Sequence, residues 1–189
     1  MNLRKFLKQS PILSQSEIAD SFASKWRGRR LDKGAYLFQQ DETETSEIIL
    51  LDGCLASSIF DQDGNEVCVG LYVGPCVVTP NIARTRNGVS RVALLAIEDV
   101  SIAQIESEQL TDLMVADETV RTWANGILQE ALSQKADREW CLAALKGAER
   151  LLWFREVFPG YESVFPHTLI ASFLGVTPVT LSRLRNATV

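Results

Sequence analysis

Three patterns of apolar and polar positions follow one another along the chain. Near the start, Ile18, Phe22 and Trp26 recur at helical intervals behind Ser14-Gln-Ser-Glu17, whose spacing suits a capping box. A short opening helix is predicted. From about Arg30 the period changes to two. The segments AYLFQQ, EIILLDGCLASSIF, EVCVGLYVGPCVV and SRVALLAIEDVSIAQI are rich in Val, Ile, Leu and aromatics. Turn residues separate them, at Lys33-Gly34, Asp52-Gly53, Asp61-Gln-Asp63-Gly64 and Gly74-Pro75. Short strands at this spacing predict a β-roll or small barrel of roughly seven or eight strands.

The second pattern is helical and begins near Glu106. Asp117-Glu118 places two acids where a helix dipole favours them, and no Pro follows until Pro159. Val120, Trp123, Ile127 and Ala131 make an apolar stripe that fades at Gln134, Lys135 and Arg138 and resumes at Cys141 and Leu145. A helix of about thirty residues is ~45 Å long, more than the core of one such chain needs. The stripe either packs within the chain or forms a seam against the same helix of a second subunit. The seam is expected, because an exposed Trp123 and Ile127 would be costly.

The third pattern opens with AERLLWFREVF, an amphipathic helix stopped by Pro159-Gly160. Then comes IASFLGVTPVTLSRLR, residues 170–185. Two short helices that cross closely need a small residue at the crossing and a Gly that turns the chain left-handed. Ile170, Ala171, Leu174, Gly175, Val176, Leu181 and Leu184 fill those places. Thr177 suits a cap, and Pro178 suits a first helical turn. A helix-turn-helix is expected.

Composition narrows the function. With 189 residues, 46% hydrophobic and 23% charged, the chain can bury a real core. No apolar run has membrane-span length and the start has no secretory pattern, so a cytoplasmic protein without membrane association is expected. Cys54, Cys68, Cys76 and Cys141 are scattered, with no CxxC pair, and no metal site is expected. His167 is the single His, and no nucleophile elbow, P-loop or HExxH accompanies it, so an enzyme is not expected. The net charge is −5, yet no Asp or Glu occurs from Ser163 to Val189. A cationic end on an acidic protein fits contact with nucleic acid.

The order of parts, with GVTPVTLSRLR and the upstream RLLWF…PG, resembles the cyclic-AMP receptor protein and fumarate–nitrate regulator family of bacterial transcription factors, in a subgroup with a shortened C-terminus. The resemblance implies an α+β fold: a cyclic-nucleotide-binding-like β-roll (jelly roll) over 1–116, a long dimerisation helix over 117–146, and a helix-turn-helix domain over 147–189. With four residues after Arg185, the family's final wing hairpin is not expected. It also implies a homodimer, with Val120, Trp123, Ile127 and Ala131 at the seam, on a double-stranded DNA operator, with RNA polymerase as a further partner.

Departures from the family pattern sharpen this. Val78-Thr79 stands where cyclic-nucleotide binders carry Gly-Glu, Ser90-Arg91 reverses their Arg-Ser order, and Lys135-Ala136 replaces their hydroxylic helix residues. Thr79, Arg84, Ser90 and Arg91 remain the candidate effector pocket, but cyclic AMP is not expected as its ligand and the effector is open. No N-terminal Cys cluster exists for an iron–sulfur centre. On the second helix of the pair, Thr177, Val179, Thr180, Arg183 and Arg185 are the expected DNA contacts, with Val179 in the place of the family's Glu. A transcriptional regulator is the expected function. A sensor or protein-interaction module whose helix-turn-helix no longer binds DNA is the alternative.

Overall fold

The computed structural model describes residues 1–14 and 18–187, so the Glu17 end of the expected capping box lies outside the described residues. Two antiparallel sheets form the roll. One runs in the order β1 (Arg27–Leu31), β10 (Val100–Glu106), β3 (Ser46–Asp52), β6 (Cys76–Val77). The other runs β2 (Tyr36–Phe38), β9 (Ala93–Ala96), β4 (Cys54–Phe60), β5 (Glu66–Val73), and β7 (Thr85–Arg86) pairs with β8 (Val89–Ser90) as a small ribbon. Gly53 makes the β3–β4 turn at φ 90°; a Cβ there would also meet the Asp99 carbonyl oxygen at 2.6 Å, so only Gly fits.

Alternation along the strands explains the layers. Ile48 and Leu50 of β3, Leu55 of β4 and Ile102 of β10 point into the roll and fill it with Phe38 and Leu94. Their neighbours Ile49, Leu51, Ala103 and Ile105 point out, as do Cys54, Ala56, Cys68 and Leu71 from the other sheet. Both outer faces are therefore apolar and both need covering.

Helices α1 (Leu3–Leu7), α2 (Ile18–Ala23) and α4 (Ser107–Ala116) cover the β3 side, together with the start of α5 (Glu118–Ala144). Asp117 caps α5 by accepting from the Thr119 and Val120 amides at 2.7 and 3.0 Å. The helix is 27 residues long. Trp26 lies just past α2, yet its ring meets Phe22 edge-on at 5.7 Å. Within α3 (Asn81–Arg84), at the top of the roll, Ile82 is exposed.

The β5 side is covered by α6 (Gly147–Val157), α7 (Tyr161–Val164), α8 (His167–Phe173) and α9 (Pro178–Ala187). Strand β5 is a sheet edge, and a bulge at Val69 interrupts its pairing with β4. The free backbone there is satisfied by the C-terminal half of the chain. The Cys68 N–H donates to Ser172 Oγ of α8 at 2.9 Å. Arg138 of α5 donates to the Cys68 carbonyl at 3.2 Å and to the Phe173 carbonyl at 2.9 Å, with its guanidinium 4.6 Å from the Phe173 ring centre. One planar fork thus ties strand, long helix and α8 together.

Arg138→Ala removes these bonds and is expected to cost about 1.5–3 kcal/mol in urea unfolding. Arg138→Lys, which keeps charge without the fork, should recover little of it. Amide exchange at Cys68 and along α8 checks where the loss falls, and unchanged exchange at both would exclude the tie.

Candidate functional site

Helix α9 presents the face that the sequence pointed to. Gly175 turns the chain between α8 and α9 at φ 64°, and a Cβ there would lie 3.1 Å from Arg150 Nη1. Arg150 in turn donates to the carbonyls of Leu142 (2.9 Å), Leu145 (2.9 Å) and Leu174 (3.0 Å). Its guanidinium closes the carbonyl ends of α5 and α8 at the turn. Thr177 Oγ1 accepts from the Thr180 amide at 3.1 Å and starts α9. Leu181 is buried, while Thr177, Val179, Thr180 and Arg183 are exposed, Val179 at 60%. Arg183 makes no hydrogen bond or ion pair among the described residues.

Arg185 differs. Its Nε lies 3.1 Å from Glu162 Oε1, Arg155 Nε sits 2.5 Å from Glu162 Oε2, and Arg185 also meets the His167 ring. Arg185, one of the expected DNA contacts, is anchored to its own half of the chain. Glu162 is the functional neighbour that sequence reasoning missed. The available signal was a lone acid seven residues past Arg155, just outside the carboxylate-free tail.

Two of the four expected seam residues, Val120 and Trp123, pack within the chain. Val120 and Trp123 are 2% and 6% exposed, and Trp123 stacks edge-on against Phe22 at 5.3 Å. They pack inside the chain because the outer face of the β-roll needs them there; Ile127 joins that cluster at its margin, and Ala131 is half-buried further along. The apolar positions left outward on α5 are Leu132 at 53% and Trp140 at 59%, with Ala136 between and half-buried Leu128 one turn before. That i, i+4, i+8 row is a second stripe, on another side of the helix.

The candidate effector residues do not converge on an open pocket. Arg84 is 4% exposed; burial lowers its pKa, while Glu44 and Glu47 oppose the shift. It pairs with Glu44 at 3.7 Å, donates to the Thr79 carbonyl at 3.1 Å and to the Ser46 carbonyl, and lies 4.7 Å from the Phe38 ring centre. Its charge is used within the roll, which corrects its reading as an effector contact. Ser90 is fully buried, donating to the Val92 carbonyl at 2.7 Å. Thr79 Oγ1 shares a 2.9 Å bond with the Tyr72 hydroxyl, and both line a cleft of about 430 Å³ between roll, α5 and α7. Arg91 is exposed. The thiols of Cys54, Cys68 and Cys76 are pushed up to about 12, chiefly by burial, and stay protonated.

A roll flanked by a long helix and a helical pair defines a class of fold, and solved structures share it. Residues 28–117 match the model of the cyclic nucleotide-binding domain. The structure is similar to that of FixK2 from Bradyrhizobium japonicum (TM-score 0.73, 19% identity, 86% of this chain and 83% of that one). It is also similar to a CooA mutant from Carboxydothermus hydrogenoformans (TM-score 0.73, 17% identity, 99% and 84%). A third similar structure is the c-di-GMP responsive global regulator CLP from Xanthomonas campestris (TM-score 0.70, 15% identity, 89% of each chain). No curated protein matches the sequence. Residues 28–117 thus match a cyclic nucleotide-binding domain, and the fold is like that of solved cyclic-AMP receptor and fumarate–nitrate regulator proteins. No helix among the described residues is long and apolar enough to cross a membrane.

Glu44→Ala would remove the ion-pair partner of the buried Arg84, leaving Glu47 as the remaining carboxylate acting on it, and is expected to cost about 3 kcal/mol in urea unfolding. Replacing Arg84 by Met in the same chain should restore most of that. A double variant as unstable as the single one would show that the pair is not what matters.

Proposed function

We propose that the chain is a homodimeric, DNA-binding transcriptional regulator whose roll responds to something other than cyclic AMP. The observation that carries this is the outward face of α9. Thr177, Val179, Thr180 and Arg183 stand exposed on a helix without a carboxylate, and Arg183 is left unpaired while Arg138, Arg150 and Arg185 are all engaged. A helix of this kind enters a major groove with its first two turns, and an unpaired Arg there reads a guanine with two parallel hydrogen bonds. In this reading residues 1–116 sense, 117–146 dimerise and 147–189 bind DNA.

The dimer supplies the second half-site. Its seam is Leu128, Leu132, Ala136 and Trp140 rather than the Val120–Trp123 side, since the latter is occupied. The buried Arg84 and the Val78-Thr79 pair argue against cyclic AMP: no carboxylate stands where the ribose hydroxyl would be met, and Arg84, the buried arginine of the roll, already holds Glu44.

A protein-interaction module with a helix-turn-helix that no longer binds DNA is the second reading. The Glu162 pairing of Arg185 and the net charge of −5 favour it. A salt titration on random duplex DNA separates the two, because phosphate neutralisation produces a steep salt slope and protein packing does not.

Two outcomes are expected. In binding-site selection at two salt concentrations, Arg183→Ala loses about 1–3 kcal/mol on the preferred site and relaxes one base pair per half-site, whereas Arg185→Ala keeps the preference. Identical preferences for wild type and Arg183→Ala remove Arg183 from the reading role. In light scattering, Leu132→Glu gives a folded monomer, whereas Trp123→Ala lowers stability by about 3–5 kcal/mol in the protomer itself. A wild type that is monomeric at high concentration removes the seam.

A further inference from the structure

A second cavity, of about 230 Å³, lies outside the roll, on the face of the sheet that α4 and α5 cover. It adjoins the cleft beside Thr79, with which it shares Val77, Pro80 and Ile127, and lies outside the interior that Arg84 fills. Its walls are apolar, from Val77, Met114, Trp123 and Ile127, and the exposed Ile82 stands at its mouth. Its polar lining comprises Trp26 and Glu47 together with Asn81, Ser107, Thr111 and Asn125.

Strand register fixes how Trp26 and Glu47 stand to each other. Glu47 of β3 is opposite Ile105 of β10, and Arg27 of β1 is opposite Gln104. Trp26, one residue earlier, therefore falls opposite Ile105 from the other side. Trp26 and Glu47 share one face and lie two strands apart, about 10 Å. Trp26 is 7% exposed and its indole N–H is buried with no hydrogen-bond partner among the described residues. A buried donor without a partner costs stability, so an acceptor supplied from outside would be favoured.

The Glu47 carboxylate accepts one bond per oxygen, from the Asn81 N–H at 2.9 Å and from the Ser107 hydroxyl at 3.3 Å. Each oxygen keeps room for another donor. Burial raises the Glu47 pKa, its Asn81 and Ser107 bonds and the Arg84 charge oppose that, and Glu44 beside it adds to the rise. The cavity thus offers the Glu47 carboxylate as an acceptor, a largely apolar wall, and beside it the buried Trp26 N–H that has no partner among the described residues.

We propose that this cavity binds a small apolar or aromatic amine that carries a hydroxyl or carbonyl at its far end. The ammonium meets Glu47, the far oxygen accepts from Trp26, and the body lies against Trp123 and Met114. Such a ligand would bridge the roll and the start of α5 and give the proposed regulator an effector. The site itself does not depend on DNA binding, because its test reads the chain alone.

Calorimetry with the full chain tests it, using tyramine, phenethylamine and 4-hydroxyphenylacetate as probes. Tyramine should bind saturably at one site per chain, more tightly than phenethylamine, and the acid should not bind. Glu47→Gln should weaken tyramine by roughly tenfold or more, as for loss of a charge-assisted bond. Trp26→Phe, which keeps the ring and removes only the N–H, should bring tyramine down to the affinity of phenethylamine. Leu132→Glu should leave tyramine binding intact, which separates a pocket of one chain from a gap in a seam. No saturable binding, equal binding of the acid, indifference to both Glu47→Gln and Trp26→Phe, or loss in Leu132→Glu would each overturn the proposal. A failure of DNA binding would leave these results unchanged.

Discussion

The unpaired edge of β5 is the constraint that the molecule is built around. A residue on an edge strand turns its N–H and C=O to solvent or to a partner, and exposed edges invite association with other chains. At Cys68 both groups are taken, by Ser172 and by Arg138. The side chain beneath is fully buried with Phe173 and Ile170, so hydrogen bonds and apolar burial act at one point. The consequence is that α8 cannot leave the roll alone. Moving it exposes a sheet edge, an apolar sheet face and the stacked side of the Arg138 guanidinium together, and the cost of each adds to the others.

This also decides what the rest of the chain is free to do. Because α8 lies down on β5, it is α9 that stands outward, and Gly175 with Arg150 sets the angle between the two. The exposed Arg183 is what remains when every other arginine of that half has been given a carbonyl or a carboxylate. Its availability follows from the satisfaction of its neighbours. A surface charge that nothing holds is common, but one standing alone on a helix whose other face is pinned is a defined geometric object.

Local chemistry was legible in the sequence wherever the signal and its cause lie within a few residues. Gly175, Thr177 and Pro178 are each dictated by a backbone angle or a cap, and the turn forms where they stand. Asp117 starts α5 for the same reason. The alternating segments became strands. What periodicity does not encode is which surface an apolar stripe meets. Val120 and Trp123 were correctly apolar, yet their partners are Phe22 and Trp26, nearly a hundred residues earlier. Arg84 was misread because charge suggests exposure, while its compensating Glu44 lies forty positions away, across the roll. Arg138 sat in plain view as a polar break in the stripe. A break at a stripe position marks a place where the core ends and a buried polar contact begins.

The two sides of α5 have separate partners, and this limits how the chain could transmit a signal. Arg138 belongs to the side that faces the roll and α8, while Leu132 and Trp140 point away. At 100° per residue, Trp140 lies about 200° from Arg138 around the axis. A second copy meeting Leu132 and Trp140 would therefore touch the side of the helix turned away from the roll. Rotating α5 to improve an outer contact would drag the Arg138 fork off the Cys68 and Phe173 carbonyls. Conversely, any event that repositions the start of α5, where Val120 and Trp123 are clamped against Phe22, turns both stripes at once. The long helix thus couples the apolar clamp at Val120 and Trp123 to the Arg138 fork, and turning it strains both.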